Sequence, residues 1–473
     1  VNERYHMKGR QQKISKDTCP QKNRAEPEGY AEGQTFLWIT ENNITDTDPS
    51  AYDMLEHILS PANLNRAYKR VRSNKGSGGV DKMEVESLKD YLITHKDELI
   101  AHIFDGKFKP NPVRRVEIPK EDGKKRKLGI PTVVDRVVQQ AIAQILSPVY
   151  ERQFSPYSYG FRPKRNQHQA LNKCKDIITD GYKYVVDMDL EKFFDTVNQS
   201  KLIEVLSRTI RDGRVISLIH KYLKAGVVVS HKFEATEAGV PQGGPLSPLL
   251  SNIMLHELDK ELESRGHRFV RYADDLLILC KSKRSAERTL TSTTRFIENK
   301  LFLKVNKEKT TVAYSSKVKF LGYSFYIMEG KARLRIHAKS VAKMKERIRK
   351  LTSRSNGWGA ERRKLALKQF IIGWVNYYKL ADMKTLLLRI DEWYRRRLRM
   401  VIWKQWKRVS TRFRNLIKLG LPKSKAWEYA NTRKSYWHTA NSPILTRSIT
   451  NDRLSLSGYV FFSNRYSLVY GVN

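Results

Sequence analysis

Cysteine is scarce in this sequence, which has only Cys19, Cys174 and Cys280 among its 473 residues. So few and so distant cysteines predict no disulfide framework, and no Cys-x-x-Cys pair is available for a zinc ion. The sequence also lacks an uncharged apolar run of 18 residues and an apolar segment at its start. We therefore expect a protein of a reducing, cytoplasmic compartment that has no membrane partner.

Acidic residues are also few, with 49 Asp and Glu against 89 Lys and Arg, a net charge of +40. A compact domain with this excess repels itself unless a polyanion is present, so nucleic acid is the expected partner. Residues 331–473 hold 34 basic and 7 acidic side chains, which is +27 of the total. Residues 1–50 have a net charge of −1 and little periodicity, which predicts a polar, loosely docked extension.

Local patterns predict alternating helices and short strands. Helical apolar spacing begins near Met54, and the Gly-rich segment 73–79 that follows it predicts a flexible basic loop. Residues 113–118 and 127–130 have the pattern of two paired strands. The segment 119–126 between them predicts a basic hairpin turn, for which a solvated tip is the ordinary interpretation.

Two segments place carboxylates at the ends of apolar strands. Asp187 and Asp189 end the apolar run that begins at residue 184, and Asp274 and Asp275 separate two apolar runs within 269–279. Ionised carboxylates in such surroundings repel each other and lose hydration, and a divalent cation relieves both costs. An Asp pair is also common in ordinary turns, so the pair alone leaves both interpretations open. If the strands are neighbours, three carboxylates converge and suit Mg²⁺.

The segment Tyr272-Ala273-Asp274-Asp275 resembles the Tyr-x-Asp-Asp signature of reverse transcriptases. Its alanine at the second position resembles the form of this signature in the group II intron branch of the family. Five further segments resemble successive blocks of that family in the same order, and they lie at 158–163, 187–195, 241–248, 320–323 and 373–378. Six blocks in order are a far more specific signal than one. The sequence thus resembles the bacterial group II intron-encoded reverse transcriptases, which are also maturases.

The resemblance implies an α+β fold, a right-hand polymerase with fingers, palm, a helical thumb or maturase domain and a basic C-terminal region. The expected divisions are a polar extension at 1–50, fingers with an N-terminal helix and a flexible loop at 51–180, a palm with the catalytic aspartates at 181–330, a thumb at 331–424 and a DNA-binding-like region at 425–473.

The implied activity is RNA-directed DNA synthesis, with Asp189, Asp274 and Asp275 as the catalytic, metal-binding triad. The implied cofactor is a pair of Mg²⁺ ions, with Mn²⁺ as an alternative. The partners would be dNTPs, an RNA template with a DNA primer, target DNA, and the parent intron RNA, whose splicing and mobility the chain would assist. Asp187 is the alternative to Asp189. The family's aromatic nucleotide gate lies five residues after the catalytic aspartate, which favours Asp189.

The resemblance assigns nucleotide contacts to Lys120, Arg126, Phe194, Gln242 and Lys309. Fixed cations in the hairpin suit the β- and γ-phosphates, where charge accumulates during transfer. A bulky ring at Phe194 would exclude a ribose 2′-hydroxyl, whereas Phe193 is expected in the core. Lys307 stays open as an alternative to Lys309, which is expected to assist the leaving pyrophosphate. We also expect Ser247 and Pro248 to be the N-cap and first residue of a helix.

The basic C-terminal third is rich in tryptophan, with seven of eight after residue 350. Helical spacing predicts that most of them lie in a core. Phosphate contacts are expected from Arg395, Arg396, Arg397 and Arg399, with a solvated helix face as the alternative. Many relatives carry a His-Asn-His endonuclease with cysteine pairs, which has no counterpart here, so we expect no second-strand cleavage.

Two other functions stay open. The first is a reverse transcriptase of another lineage, such as a retron, diversity-generating or repair enzyme, against which the segment 373–378 argues. The second is a catalytically silent splicing maturase, against which the three aspartates and Phe194 argue.

Overall fold

The computed structural model describes residues 53–119, 125–230 and 232–470. Helices and strands are both abundant in these ranges, which confirms the expected α+β class. No helix in the described ranges combines the length and apolar character needed to cross a bilayer. The expected N-terminal extension, 1–50, lies outside the described residues.

Helices flank one basic hairpin in the first part of the chain. The helices are α1 (Met54–Leu59), α2 (Pro61–Asn74), α3 (Leu88–Phe104), α4 (Val133–Glu151) and α5 (Gln167–Thr179). Strands β1 (Val113–Pro119) and β2 (Lys125–Ile130) pair antiparallel, as predicted. The Gly-rich loop after α2 contacts its neighbours, since Arg114 Nη2 donates to Gly78 O at 2.8 Å and Arg136 bonds to Ser77 O, and its flexibility stays a prediction.

The middle of the chain contributes the central sheet. Its elements are β3 (Tyr184–Met188), α6 (Phe193–Thr196), α7 (Gln199–Ser207), α8 (Gly213–Leu223), β4 (Val227–Val229), β5 (Lys232–Glu234), α9 (Ser247–Ser264), β6 (Arg268–Tyr272), β7 (Asp275–Cys280), α10 (Lys283–Lys300) and β8 (Thr311–Tyr314). The central sheet has the order β6-β7-β3-β8, and all of its neighbours are antiparallel. A second sheet, β2-β1-β4-β5, carries the hairpin.

Both faces of the central sheet are buried. Val186 and Ile278 belong to a first core, which the sheet shares with helices α1–α4 and α7–α10. Val185, Leu277 and Leu279 belong to a second core on the opposite face. This division follows from the period-two alternation of side chains along a strand.

The C-terminal part is a two-stranded hairpin followed by helices. Its elements are β9 (Tyr323–Met328), β10 (Lys331–Ile336), α11 (Ala338–Leu351), α12 (Ala360–Tyr377), α13 (Lys384–Gln405), α14 (Val409–Lys418), α15 (Lys423–Ala430), α16 (Tyr436–Thr439), α17 (Pro443–Ser448), α18 (Asn451–Leu456) and α19 (Phe462–Val469). The second core extends into these helices and so crosses the expected boundary at residue 330. Trp374 and Trp403 are fully buried, as predicted for core residues, whereas Trp427 is 59% exposed.

We predict that Leu277→Ala destabilises the protein by about 2–5 kcal/mol, because it leaves a cavity between the central sheet and the C-terminal helices. Leu277 is 1% exposed, whereas Leu456 is 87% exposed, so Leu456→Ala is the matched control and should change stability little. Urea unfolding measures both variants. Equal losses in the two would contradict the shared core.

Candidate active site

Asp274 and Asp275 lie where β6 turns into β7. Tyr272 pairs with Asp275 across this turn, and Ala273 has a left-handed backbone with φ of +57°. Both aspartate side chains have solvent access although protein surrounds them on most sides. This is the situation of groups on the floor of a cleft.

Asp189 comes to the same end of the central sheet. The last pair between β3 and β7 is Met188 with Leu276, so the next residues along the two strands are Asp189 and Asp275. The Asp189 backbone is fastened on its other side, since its N–H donates to Thr310 Oγ1 at 3.2 Å and its carbonyl accepts from Asn306 N at 2.8 Å. The three predicted carboxylates therefore meet at one sheet end.

Burial and mutual repulsion raise the pKa of the Asp274 and Asp275 carboxyl groups. Burial raises the pKa of Asp275 to about 7, and the neighbouring carboxylates of Asp274, Asp187 and Asp189 add to the rise. Burial also raises the pKa of Asp274, which the Arg126 guanidinium opposes. Ionised carboxylates are therefore costly here, and a cation would lower that cost.

Asp187, the alternative to Asp189, lies deeper on the same strand. It is paired with Leu277 inside the sheet, and burial raises its pKa to about 6. It faces the same side as Asp189 because the two are separated by one residue. Asp189 is the one at the strand end, beside the turn.

A divalent cation fits the chemistry of this site. The available donors are carboxylate oxygens, which hard cations prefer. In the part of the chain that the structure describes, no three His, Cys, Asp or Glu side chains already stand close enough to hold an ion. The fit therefore rests on the shared sheet end and the electrostatic coupling of the three carboxylates.

Lys309 lies beside the carboxylates, with its Nζ 3.6 Å from Asp189 Oδ2. The bond from Asn306 to the Asp189 carbonyl brings this loop to the strand end. Lys307 is exposed, and no described acidic side chain pairs with it. This geometry favours Lys309 over Lys307.

The basic hairpin reaches the site from the other side. Arg126 is exposed on β2, and its charge acts on Asp274. Gly129 of the same strand donates its N–H to Gln242 O at 2.7 Å, which joins the hairpin to the Pro-Gln-Gly turn. The approach is close, because a Cβ on Gly243 would lie 2.3 Å from Gly129 O. Lys120 lies outside the described residues.

Phe193 and Phe194 have different environments. Phe193 is buried in the first core, as expected, and Phe194 is half-buried. The Phe194 carbonyl accepts the N–H of Val240 at 2.7 Å, close to the Pro-Gln-Gly turn. The expected N-cap of α9 is corrected: Leu246 holds that position, and Ser247 Oγ donates to Pro241 O instead.

The four arginines of α13 that were expected to bind phosphate all contact the protein itself. Arg395 lies over the Phe461 ring and Arg396 over the Trp437 ring, with guanidinium carbons 4.9 and 4.0 Å from the ring centroids. Arg397 Nε donates to Thr352 Oγ1 at 2.6 Å.

Arg399 requires a correction. It is buried, and its guanidinium donates to Ile449 O at 2.9 Å and Asn451 Oδ1 at 3.0 Å. It therefore joins α13 to the start of α18 and is not available to a phosphate.

Three buried polar side chains behind the Asp274–Asp275 turn were not predicted from the sequence, namely Arg271, Asn252 and Asp259. The close approach of the Gly160 backbone to this turn was not predicted either. A signal was present, because Arg271 interrupts an otherwise apolar strand and charged residues are rarely buried without a partner.

Comparison with known families divides the chain into two matched regions. Residues 118–325 match the reverse transcriptase (RNA-dependent DNA polymerase) family, and residues 341–420 match the maturase-specific domain of group II introns. The first region contains Asp189, Asp274 and Asp275, and the second contains Arg395–Arg399.

Individual proteins show the same relationship. Protein YkfC of Escherichia coli is 34% identical over 310 residues, which cover 57% of this chain and 81% of YkfC. The group II intron-encoded protein LtrA of Lactococcus lactis is 32% identical over 356 residues, covering 61% of this chain and 59% of LtrA, less than two thirds of that protein. A solved partial Cas6-RT-Cas1–Cas2 complex covers 52% of this chain and 42% of its own at 23% identity and a TM-score of 0.33, and no argument rests on it.

Asp189, Asp274 and Asp275 lie in the region that matches reverse transcriptases, and helices α11–α14 overlap the region that matches group II intron maturases. The two regions follow each other in one chain, as the sequence blocks predicted. The chain belongs to the group II intron-encoded reverse transcriptases, with a reverse transcriptase region followed by a maturase-specific region.

Proposed function

We propose that this chain copies RNA into DNA as a right-hand polymerase and also binds the group II intron RNA that encodes it. The central sheet with α9 is the palm, the β1–β2 hairpin and the first helices are the fingers, and helices α11–α14 are the thumb. The divisions at 51–180, 181–330, 331–424 and 425–473 belong to the same proposal. The meeting of Asp189, Asp274 and Asp275 at one end of the central sheet carries it.

The proposed metals are two Mg²⁺ ions, with Mn²⁺ as an alternative, held by Asp189, Asp274 and Asp275. When bound, such ions activate a primer 3′-hydroxyl and neutralise the phosphates of a dNTP. The part played by the chain is to hold the three carboxylates fixed at one end of the central sheet. Lys309 Nζ lies beside them, where it can give a proton to the leaving pyrophosphate.

The nucleotide would lie between the hairpin and the carboxylates. The charge of Arg126 acts on Asp274, which supports a role for Arg126 facing the triphosphate, and Lys120 is assigned to the same task. Gln242 is joined to β2 by its carbonyl, so the turn that contacts the nascent pair moves with the hairpin. Phe194 is half-buried beside this turn, which suits a ring that excludes a ribose 2′-hydroxyl.

RNA binding is proposed for a basic surface around Trp393. Lys345, Arg349 and Arg397 lie around its ring, with distances to the centroid of 5.9, 5.7 and 5.6 Å. Burial lowers the pKa of Arg397, and the charges of Arg349 and Arg354 lower it further. We call these five residues the Trp393 surface. None of its cations pairs with an acidic side chain within the described residues, so a polyanion would relieve their repulsion.

The remaining partners rest on the relatives. LtrA is by its name encoded in a group II intron, and we extend that origin to this chain. Intron RNA, an RNA template with a DNA primer, dNTPs and target DNA are then its partners, in the cytoplasm of a bacterium. Splicing assistance requires RNA binding alone, whereas intron mobility also requires DNA synthesis.

The double variant Asp274→Ala, Asp275→Ala should reduce primer extension on an RNA template to background, because it removes two of three proposed metal ligands. RNA affinity and splicing assistance should persist, since neither needs the metals. Extension and splicing assays on the same preparation measure both. Retained dNTP incorporation would sink the site, and loss of splicing at unchanged RNA affinity would show that the two activities are not separable. A parent protein without extension would favour a silent maturase.

Mg²⁺ should raise the melting temperature of the parent protein, because a cation relieves repulsion among the three carboxylates. The rise should be much smaller for Asp275→Asn. Asp97→Asn, at an exposed position of α3, is the matched control and should respond like the parent. Thermal melting with and without Mg²⁺ measures the effect. The same rise in all three proteins would argue against a cation at this site.

The double variant Arg349→Ala, Arg354→Ala should weaken RNA binding and make it less sensitive to salt. Each lost phosphate contact should lower the slope of log affinity against log salt by roughly 0.7 for a single strand. Both side chains are exposed, so stability should change little. Filter binding over a salt series measures the slope. Lys283→Ala, at an exposed position of α10, is the control. An unchanged slope and affinity would exclude this surface.

A further inference from the structure

Arg271, on β6 of the central sheet, is a buried arginine with only 1% of its surface exposed. Its Nε donates to Asp259 Oδ1 at 2.7 Å, and its Nη2 donates to the other oxygen of that carboxylate. Its Nη1 donates to Asn252 Oδ1 at 2.9 Å and to Ala273 O at 3.0 Å. One guanidinium therefore connects α9 to the backbone of the turn that carries the aspartates.

Asn252 and Asp259 lie seven residues apart on α9, which is two helical turns, so they share one face of the helix. Both are fully buried. The Asn252 amide also donates from Nδ2 to Gly160 O at 2.8 Å. Helix α9 thus holds the strand β6 and the segment around Gly160 together.

Gly160 lies directly against the turn. A Cβ at this position would stand 2.2 Å from the backbone nitrogen of Ala273, so no larger residue fits without moving the turn. The neighbouring Tyr159 N–H donates to Arg271 O at 2.9 Å. The segment around Gly160 therefore packs directly against the Ala273 turn.

The turn needs such support because Ala273 is a non-glycine residue with φ of +57°. L-residues disfavour this left-handed region, and they keep it only where surrounding contacts fix it. The hydrogen bond from Arg271 to Ala273 O and the contact at Gly160 are two such constraints.

We infer that Arg271, Asn252, Asp259 and Gly160 are positioning residues that fix the Ala273 turn and so aim Asp274 and Asp275. The inference rests on the proposed function, in which these two aspartates hold metal ions. Because α9 follows directly on the Pro-Gln-Gly turn, the same helix joins the metal turn to Gln242 on the nucleotide side.

A purely structural role predicts a different result from a positioning role. A buried ion pair is weak evidence for stability, and a lysine keeps the charge opposite Asp259. A lysine cannot also reproduce the fork that reaches Asn252 and Ala273. Arg271→Lys therefore separates charge balance, which it preserves, from positioning, which it removes.

The first test compares Gly160→Ala with Gly213→Ala. Gly213 is the matched control, because a Cβ added there would have no atom within 4 Å. Gly160→Ala should lower kcat for primer extension on the order of 10²-fold, as expected for a misplaced reacting group. It should also weaken Mn²⁺ binding, measured by electron paramagnetic resonance, at unchanged RNA affinity. Gly213→Ala should match the parent in all three.

Arg271→Lys is the second variant, and it keeps the test decisive if Gly160→Ala does not fold. We expect lower kcat and weaker Mn²⁺ binding, with KM for dNTP and RNA affinity within about twofold of the parent. A folded Gly160→Ala or Arg271→Lys with parental kcat and Mn²⁺ affinity would overturn the inference. Retained primer extension in Asp274→Ala would contradict the proposed function itself, whatever the two positioning variants show.

Discussion

The burial of both faces of the central sheet is the constraint on which the rest of the structure depends. Alternate residues of β3 and β7 enter two different cores, so a shift of one residue in register would turn apolar side chains away from both. The register in turn fixes which residues reach the end of the sheet. Asp189 and Asp275 become neighbours because Val185 to Met188 are held against Leu279 to Leu276.

The same packing makes the carboxylates electrostatically expensive. Burial raises the pKa of Asp274 and raises the pKa of Asp275 to about 7, and repulsion from the neighbouring carboxylates adds to both rises. Nearby cations partly compensate: Lys309 pairs with Asp189, and Arg126 acts on Asp274. Repulsion among these carboxylates lowers the stability of the folded protein, and bound cations would reduce that repulsion. Functional sites that lower stability are common in proteins.

Net charge overstates the capacity of the C-terminal helices for nucleic acid. Several arginines of α13 serve the fold: Arg399 joins α18, Arg396 stacks on Trp437, and Arg397 bonds to Thr352. Lys345 and Arg349, by contrast, lie over the Trp393 ring and have no acidic partner in the described residues. Binding is therefore better inferred from the partners of each cation than from the total of +40.

The sequence alone predicted the three carboxylates and the family, because residue types and signature segments are properties of the chain order. It also determined the hairpin β1–β2 and the strands around Asp274, since alternation with period two is visible in one segment. It did not reveal that Arg399 is buried or that Arg271 supports Ala273. Those facts depend on contacts between segments far apart in the chain, such as α9 with β6, and only the tertiary structure brings such segments together.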